Sequence, residues 1–151
     1  MKPQAGFTLV ELVTIIVILG VLAAFAIPRF TGLETNARVA LVNGMAGNLR
    51  SGGQFAHSIW VANGNPAATS VILSGTTNTV LVDAYGYPTA AATSGIQATL
   101  ENISGFTATY ASPTLTLTRT GAATPANCTV TYTGGTAASN SPTITVTLSG
   151  C

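Results

Sequence analysis

From Phe7 to Ile27 the chain reads FTLVELVTIIVILGVLAAFAI, an apolar run in which Glu11 is the one charged residue. As a helix rising 1.5 Å per residue it would reach roughly 30 Å, the thickness of a bilayer's hydrocarbon core. After Pro28 the pattern becomes amphipathic. Phe30, Leu33, Ala37, Leu41, Met45, Leu49, Ala56 and Trp60 recur near helical spacing, with Arg29, Glu34, Arg38 and Arg50 between them. Asn63-Gly64-Asn65-Pro66 is a stop signal, so one helix is expected from about Phe7 to about Ala62, on the order of 80 Å long. Gly44, Gly47, Gly52 and Gly53 each cost such a helix about 1 kcal/mol relative to Ala. Close approach of a neighbouring element, or fraying around Gly52-Gly53, would account for them.

From Ala67 onward the period changes to that of strands. Runs at Asn78 to Asp83, Ile96 to Glu101, Phe106 to Tyr110, Thr114 to Arg119, Cys128 to Thr133 and Thr143 to Ser149 are separated by turn clusters. These turns are marked by Ser74-Gly75, Tyr85-Gly86-Tyr87-Pro88, Thr120-Gly121, Gly134-Gly135 and Asn140-Ser141-Pro142. In Thr-Leu-Thr-Leu-Thr and Thr-Ile-Thr-Val-Thr-Leu, threonines fall on one face and aliphatics on the other, as a sheet laid over a helix requires. The expected fold is α+β: a long N-terminal helix packed on an antiparallel sheet of four or more strands. Residues 1–6 read as a leader peptide, 7–28 as a hydrophobic membrane helix, 29–62 as the amphipathic helix of the head and 63–151 as the β-rich head.

Composition narrows the function. The 151 residues carry a formal net charge of +1, and charged residues make up 6%, against roughly 25% in ordinary soluble domains. Lys2, Arg29, Arg38, Arg50 and Arg119 are scattered singly, so no basic patch marks a specific nucleic-acid surface. Cys128 and Cys151 are the two cysteines. If the C-terminal part is exported, oxidising surroundings favour their pairing; the alternative is two free thiols. Lys2, with no further basic residue before Arg29, favours a cytoplasmic N-terminus and an exported remainder. A cleaved secretory signal peptide competes with the anchor reading, Ala23-Ala24-Phe25-Ala26 offering a small-residue cleavage site.

An ionised side chain inside a membrane helix costs several kcal/mol unless it is paired or near the interface. Glu11 therefore needs a compensating partner or must snorkel to the interface. Gly6-Phe7-Thr8-Leu9-Val10-Glu11-Leu12 resembles the processing motif of type IV pilins and pseudopilins. In that family a membrane-embedded prepilin peptidase, an aspartic protease, cuts after the glycine and methylates the new amino terminus. The resemblance implies cleavage between Gly6 and Phe7 and N-methylation of Phe7. It also implies that Glu11, with Thr8 beside it, serves assembly, its carboxylate neutralising the new amine across subunits. Gly20 and Pro28 sit where this family commonly has them, which implies a local break or bend between them. Low charge and the Tyr85-Gly86-Tyr87-Pro88 segment resemble the pilins of mannose-sensitive haemagglutinin pili. A Cys128–Cys151 bond would resemble the disulfide-bounded loop region of many pilins, whereas secretion pseudopilins more often lack that bond.

Catalysis is not indicated. Outside the apolar run the acids and the histidine are Glu34, Asp83, Glu101 and His57, and no nucleophile motif, phosphate loop or metal-ligand spacing is present. No cofactor is expected. Asp83 and Glu101 read as caps of turns or strand ends before a glycosidase-like pair. Trp60 reads as core, and His57 as surface or helix end. Asn102-Ile103-Ser104 and Asn127-Cys128-Thr129 match the glycosylation sequon, a match that is frequent in a chain so rich in Thr and Ser. The resemblance implies a fibre subunit for adhesion, motility or DNA uptake. Its partners would be copies of itself, a prepilin peptidase, the membrane and, indirectly, the pilus assembly platform and motor ATPases. The alternatives are a pseudopilin of a type II secretion system and a minor, tip-located binding module. The implied location is the bacterial inner membrane as a single-pass precursor, then an extracellular pilus.

Overall fold

A computed structural model describes residues 6–64, 67–73, 75, 77–135 and 141–151, with the backbone alone at 27–31. Met1 to Ala5 of the leader, Asn65-Pro66 of the helix stop, Ser74, Asn140 and the Pro28 and Phe30 side chains lie outside the described residues. The element order is α1 (Leu9–Ala62), β1 (Ser70–Ile72), β2 (Thr79–Leu81), β3 (Phe106–Ala111), β4 (Thr114–Arg119), β5 (Thr129–Thr133) and β6 (Thr143–Thr147). The class is α+β. The chain divides into two compact units, with the boundary between Asn36 and Ala37.

In the second unit α1 closes on Gly64, which adopts φ +60° after the Asn63 N–H has bonded the Ile59 carbonyl at 2.9 Å. A left-handed glycine just past the last turn is a common way to end a helix without stranding its carbonyls. Strands β3, β4, β5 and β6 form an antiparallel meander in sequence order, with Leu117 opposite Val130 and Thr116 opposite Thr131. One face buries Leu115, Leu117, Val130 and Tyr132 against Val42, Met45, Ala46 and Leu49 of α1 and Ile96. Thr109, Thr116, Thr131 and Thr145 form a row on the other face. The expected division into a threonine face and an aliphatic face is what the sheet displays.

A smaller core lies further along α1. The β1–β2 hairpin packs Val71, Leu73, Val80 and Val82 on Ala56, flanked by Ile59 and Trp60. The Trp60 indole N–H donates to the Ala68 carbonyl at 3.1 Å. Gly86, at φ +78°, lies flush on the indole, where any Cβ would overlap the ring. Trp60 thus belongs to the packing, half-buried. β1 was not among the expected strand runs.

Three sequence expectations are corrected. Ile96–Thr99 is a 3-10 turn, not a strand: Ala98 N–H bonds the Gly95 carbonyl at 3.0 Å and the Thr99 hydroxyl bonds the Ile96 carbonyl at 2.7 Å. These local bonds consume backbone groups that a ladder would need. The buried stripe of α1 is Val42, Met45, Ala46, Leu49, Gly53 and Ala56, while Leu33 and Leu41 are exposed. A run of i+4 steps drifts about 40° per step around a 3.6-residue helix, so Leu33 lies about 160° from Leu49 on the opposite side and Leu41, about 80° away, falls beyond the stripe's edge at Met45. His57 is half-buried, stacked on Tyr87 at 4.2 Å between centroids and 4° between planes, and more loosely on Trp60.

Candidate functional site

The first turn of α1 is built by Thr8 and Glu11. Backbone N–H groups at a helix start have no partner one turn back, and a hydroxyl before the first helical residue can accept from one of them. Here Thr8 Oγ1 accepts from the Glu11 N–H at 3.3 Å, and Glu11 Oε2 accepts from the Thr8 N–H at 2.8 Å. The Thr8 hydroxyl also donates to Oε2, at 2.9 Å. This reciprocal arrangement is a capping box. The signal for it, Thr-x-x-Glu directly before an apolar run, stands in the sequence and was not read there as a cap.

Beyond the cap, Leu9–Ala26 is long and apolar enough to cross a membrane, and none of it is buried within the chain. Val10, Leu12, Ile16, Leu19, Leu22 and Phe25 are all more than half exposed. Such a face seeks lipid or other helices, since a contiguous apolar surface of this extent is foreign to soluble monomers. Glu11 and Thr14 are the polar side chains in this stretch, and both are satisfied locally. Thr14 donates to the Val10 carbonyl at 2.8 Å. Local satisfaction is what a helix in hydrocarbon requires, where no water can partner a polar group.

Gly6 and Phe7 precede the helix, and Phe7 is 81% exposed, so the bond between them is accessible. Gly20 meets nothing within 4 Å of a would-be Cβ. α1 passes through Gly20 and Pro28 as one helix, without interruption of the element.

Cys128 and Cys151 lie far from this segment in sequence and are joined, with Cα atoms 4.8 Å apart and both side chains buried. Arg38 donates to the Cys151 carbonyl at 2.9 Å, tying the last described residue to α1. Asp83 Oδ1 accepts from the Tyr85 and Tyr87 N–H groups at 2.9 and 3.0 Å. That is the turn cap expected of it. Glu101 is exposed just past the 3-10 turn. Of the sequon residues, Asn102 and Ser104 are exposed, whereas Thr129 is buried.

Residues 1–27 match the family model described as the prokaryotic N-terminal methylation motif. Over 66 residues the chain is 42% identical to the type IV narrow pilus major component PilA5 of Thermus thermophilus, covering 44% of this chain and 55% of that protein. It is 31% identical over 87 residues to the fimbrial protein EcpC of Eikenella corrodens, covering 55% and 57% respectively. It is also 40% identical over 43 residues to the type II secretion system core protein G of Pseudomonas aeruginosa, covering 28% and 30%. The chain thus matches little more than half the length of these relatives, or less. No solved structure matches it. The chain carries the prokaryotic N-terminal methylation motif at its N-terminus and is similar, over part of its length, to type IV pilins and to a type II secretion pseudopilin.

Proposed function

We propose that this chain is the precursor of a type IV pilin, a structural subunit and not an enzyme, that polymerises through α1 into a surface fibre. The observation that carries the reading is the uncovered apolar helix Leu9–Ala26 with its lone carboxylate at the start. Such a helix can exchange lipid neighbours for sibling helices at little hydrophobic cost. The precursor sits in the bacterial inner membrane with its N-terminus cytoplasmic. A prepilin peptidase cuts between Gly6 and Phe7 and methylates the Phe7 amine. In the fibre that amine of one subunit neutralises Glu11 of another and sets the stagger, with Thr8 holding the carboxylate in place. Gly20 and Pro28 bound the stretch that loosens on assembly, because a glycine and a proline both weaken helix propagation.

The remaining partners are the pilus assembly platform and, indirectly, its motor ATPases, and the fibre serves adhesion, motility or DNA uptake. The bonded Cys128 and Cys151 favour this reading over a secretion pseudopilin, which the likeness to core protein G supports as the second reading. Intact-mass measurement of sheared surface fibres tests the proposal. A subunit beginning at methylated Phe7 is expected; a soluble protein beginning beyond Ala26 would overturn it.

A further inference from the structure

The row Thr109, Thr116, Thr131 and Thr145 is the middle one of three. Thr107, Thr118, Thr129 and Thr147 stand level on one side of it, and Ala111, Thr114, Thr133 and Thr143 on the other. Ala111 and the buried Thr129 are the two gaps in an otherwise uniform grid of exposed or half-buried threonines. Strand propensity accounts for threonine as a choice, but not for the exclusion of every alternative. Edge strands ordinarily carry charges against stray pairing, yet β3 and β6 carry none.

The hydroxyls of this grid are largely unspent. Thr116 and Thr131 Oγ1 approach at 3.5 Å, the outer limit of a hydrogen bond. Among the described residues, no other hydroxyl of the grid bonds within the chain. The spacing is regular as well: strands lie about 4.7–4.9 Å apart, and outward side chains repeat about every 6.6–6.8 Å along each strand. In ice every oxygen has four tetrahedral neighbours at the O–H···O separation of about 2.7–2.8 Å. That geometry sets second-neighbour oxygens about 4.5 Å apart within a layer and repeats the layers about every 7.3 Å along the hexagonal axis. The two nets agree to within about a tenth.

We propose that the threonine face binds the surface of ice crystals. Its hydroxyls stand where lattice oxygens would, each donating and accepting as a water does, and the methyls beside them release water from apolar surface on contact. Ice has no place for an ion, whose hydration the lattice would have to strip, and the grid holds no charged residue. A second copy of the chain is the poorer occupant, because stacked sheets interdigitate the side chains of a core and this sheet keeps its aliphatics on the reverse face. Sheet twist turns each strand about 20–25° from the next. A flat crystal plane therefore meets two strands at a time, and one subunit binds weakly; linked copies would multiply the avidity. The face belongs to the head and does not require that the chain form a fibre.

Partition into growing ice tests it. A crystal is grown slowly from a dilute solution of the full-length protein in a zwitterionic detergent, and the amount carried into the ice is compared with that of an inert soluble protein in the same detergent. Enrichment over the inert protein is expected, together with slower coarsening of ice grains in a frozen film. Thr109→Lys and Thr145→Lys, at exposed positions of the two edge strands, should each lower the incorporation by about tenfold or more. Val61→Lys adds the same charge at an exposed position of α1 and should leave incorporation unchanged. Incorporation no greater than that of the inert protein, incorporation unaltered in both threonine variants, or an equal loss in Val61→Lys overturns the proposal. If one threonine variant does not fold, the other carries the test. If the native protein stays out of the ice and the threonine variants lose self-association, the face seats a second copy and the proposal fails.

Discussion

Thr8 and Glu11 hold each other across the first turn of α1, so the carboxylate that a fibre would neutralise already has a partner within its own chain. Two roles are thereby superposed on Glu11: it caps the helix and it carries the charge. Glutamine can cap in the same geometry but has no charge. Glu11→Gln is therefore expected to keep the helicity of the purified precursor while fibre yield falls to background, and Glu11→Ala to lose fibres and fray the first turn. Circular dichroism and the mass of sheared fibres read the two roles separately. Normal fibre yield from Glu11→Gln would leave Glu11 with the cap alone.

The glycines of α1 separate into two kinds. Gly52 is pressed against Thr99, whereas Gly44 faces open space. Gly52→Ala should destabilise the fold by about 1–3 kcal/mol through overpacking, despite the gain of about 1 kcal/mol in helix propensity. Adding Thr99→Ala should recover most of the loss. Gly44→Ala should stabilise the subunit by up to about 1 kcal/mol. Urea denaturation of the set checks the ordering. If Gly44→Ala also impairs fibres, that glycine is an intersubunit contact.

Joining Cys128 to Cys151 closes a loop with a sequence separation of 23, for which the chain-entropy model gives about 3 kcal/mol. Replacing both by serine should lower stability by about that amount, seen as an earlier denaturant midpoint. The same shift should appear in the native protein on reduction and be absent from the double variant.

Burial first, and the nearby Asp83 charge second, push the Tyr132 hydroxyl above its ordinary value of 10.0. The folded protein keeps this proton at a pH where the unfolded chain has lost it. Its contribution to stability is complete below about pH 10 and disappears as pH rises above that. The hydroxyl donates to the Pro88 carbonyl at 2.6 Å. Tyr132→Phe should cost about 1–3 kcal/mol at neutral pH, the penalty of an unpartnered buried carbonyl. It should also flatten the alkaline limb of stability against pH. An unchanged limb would assign alkaline unfolding to other groups.

Where the organising signal is local, the sequence alone determined the outcome. The apolar run, its single acid, the terminal turn before Pro66 and the alternation in Thr114–Arg119 and Thr143–Thr147 are properties of neighbouring residues, and the long helix and an antiparallel sheet of at least four strands followed from them, though the meander order of those strands did not. The tertiary structure decided what depends on residues distant in the chain. It placed Val42 inside and Leu41 outside, and it separated Gly52 from Gly44. It also turned Ile96–Thr99 into a 3-10 turn and set His57 on Tyr87. The physical reason is that burial and close approach are set by the element that arrives from elsewhere, and periodicity within a segment carries no record of that arrival.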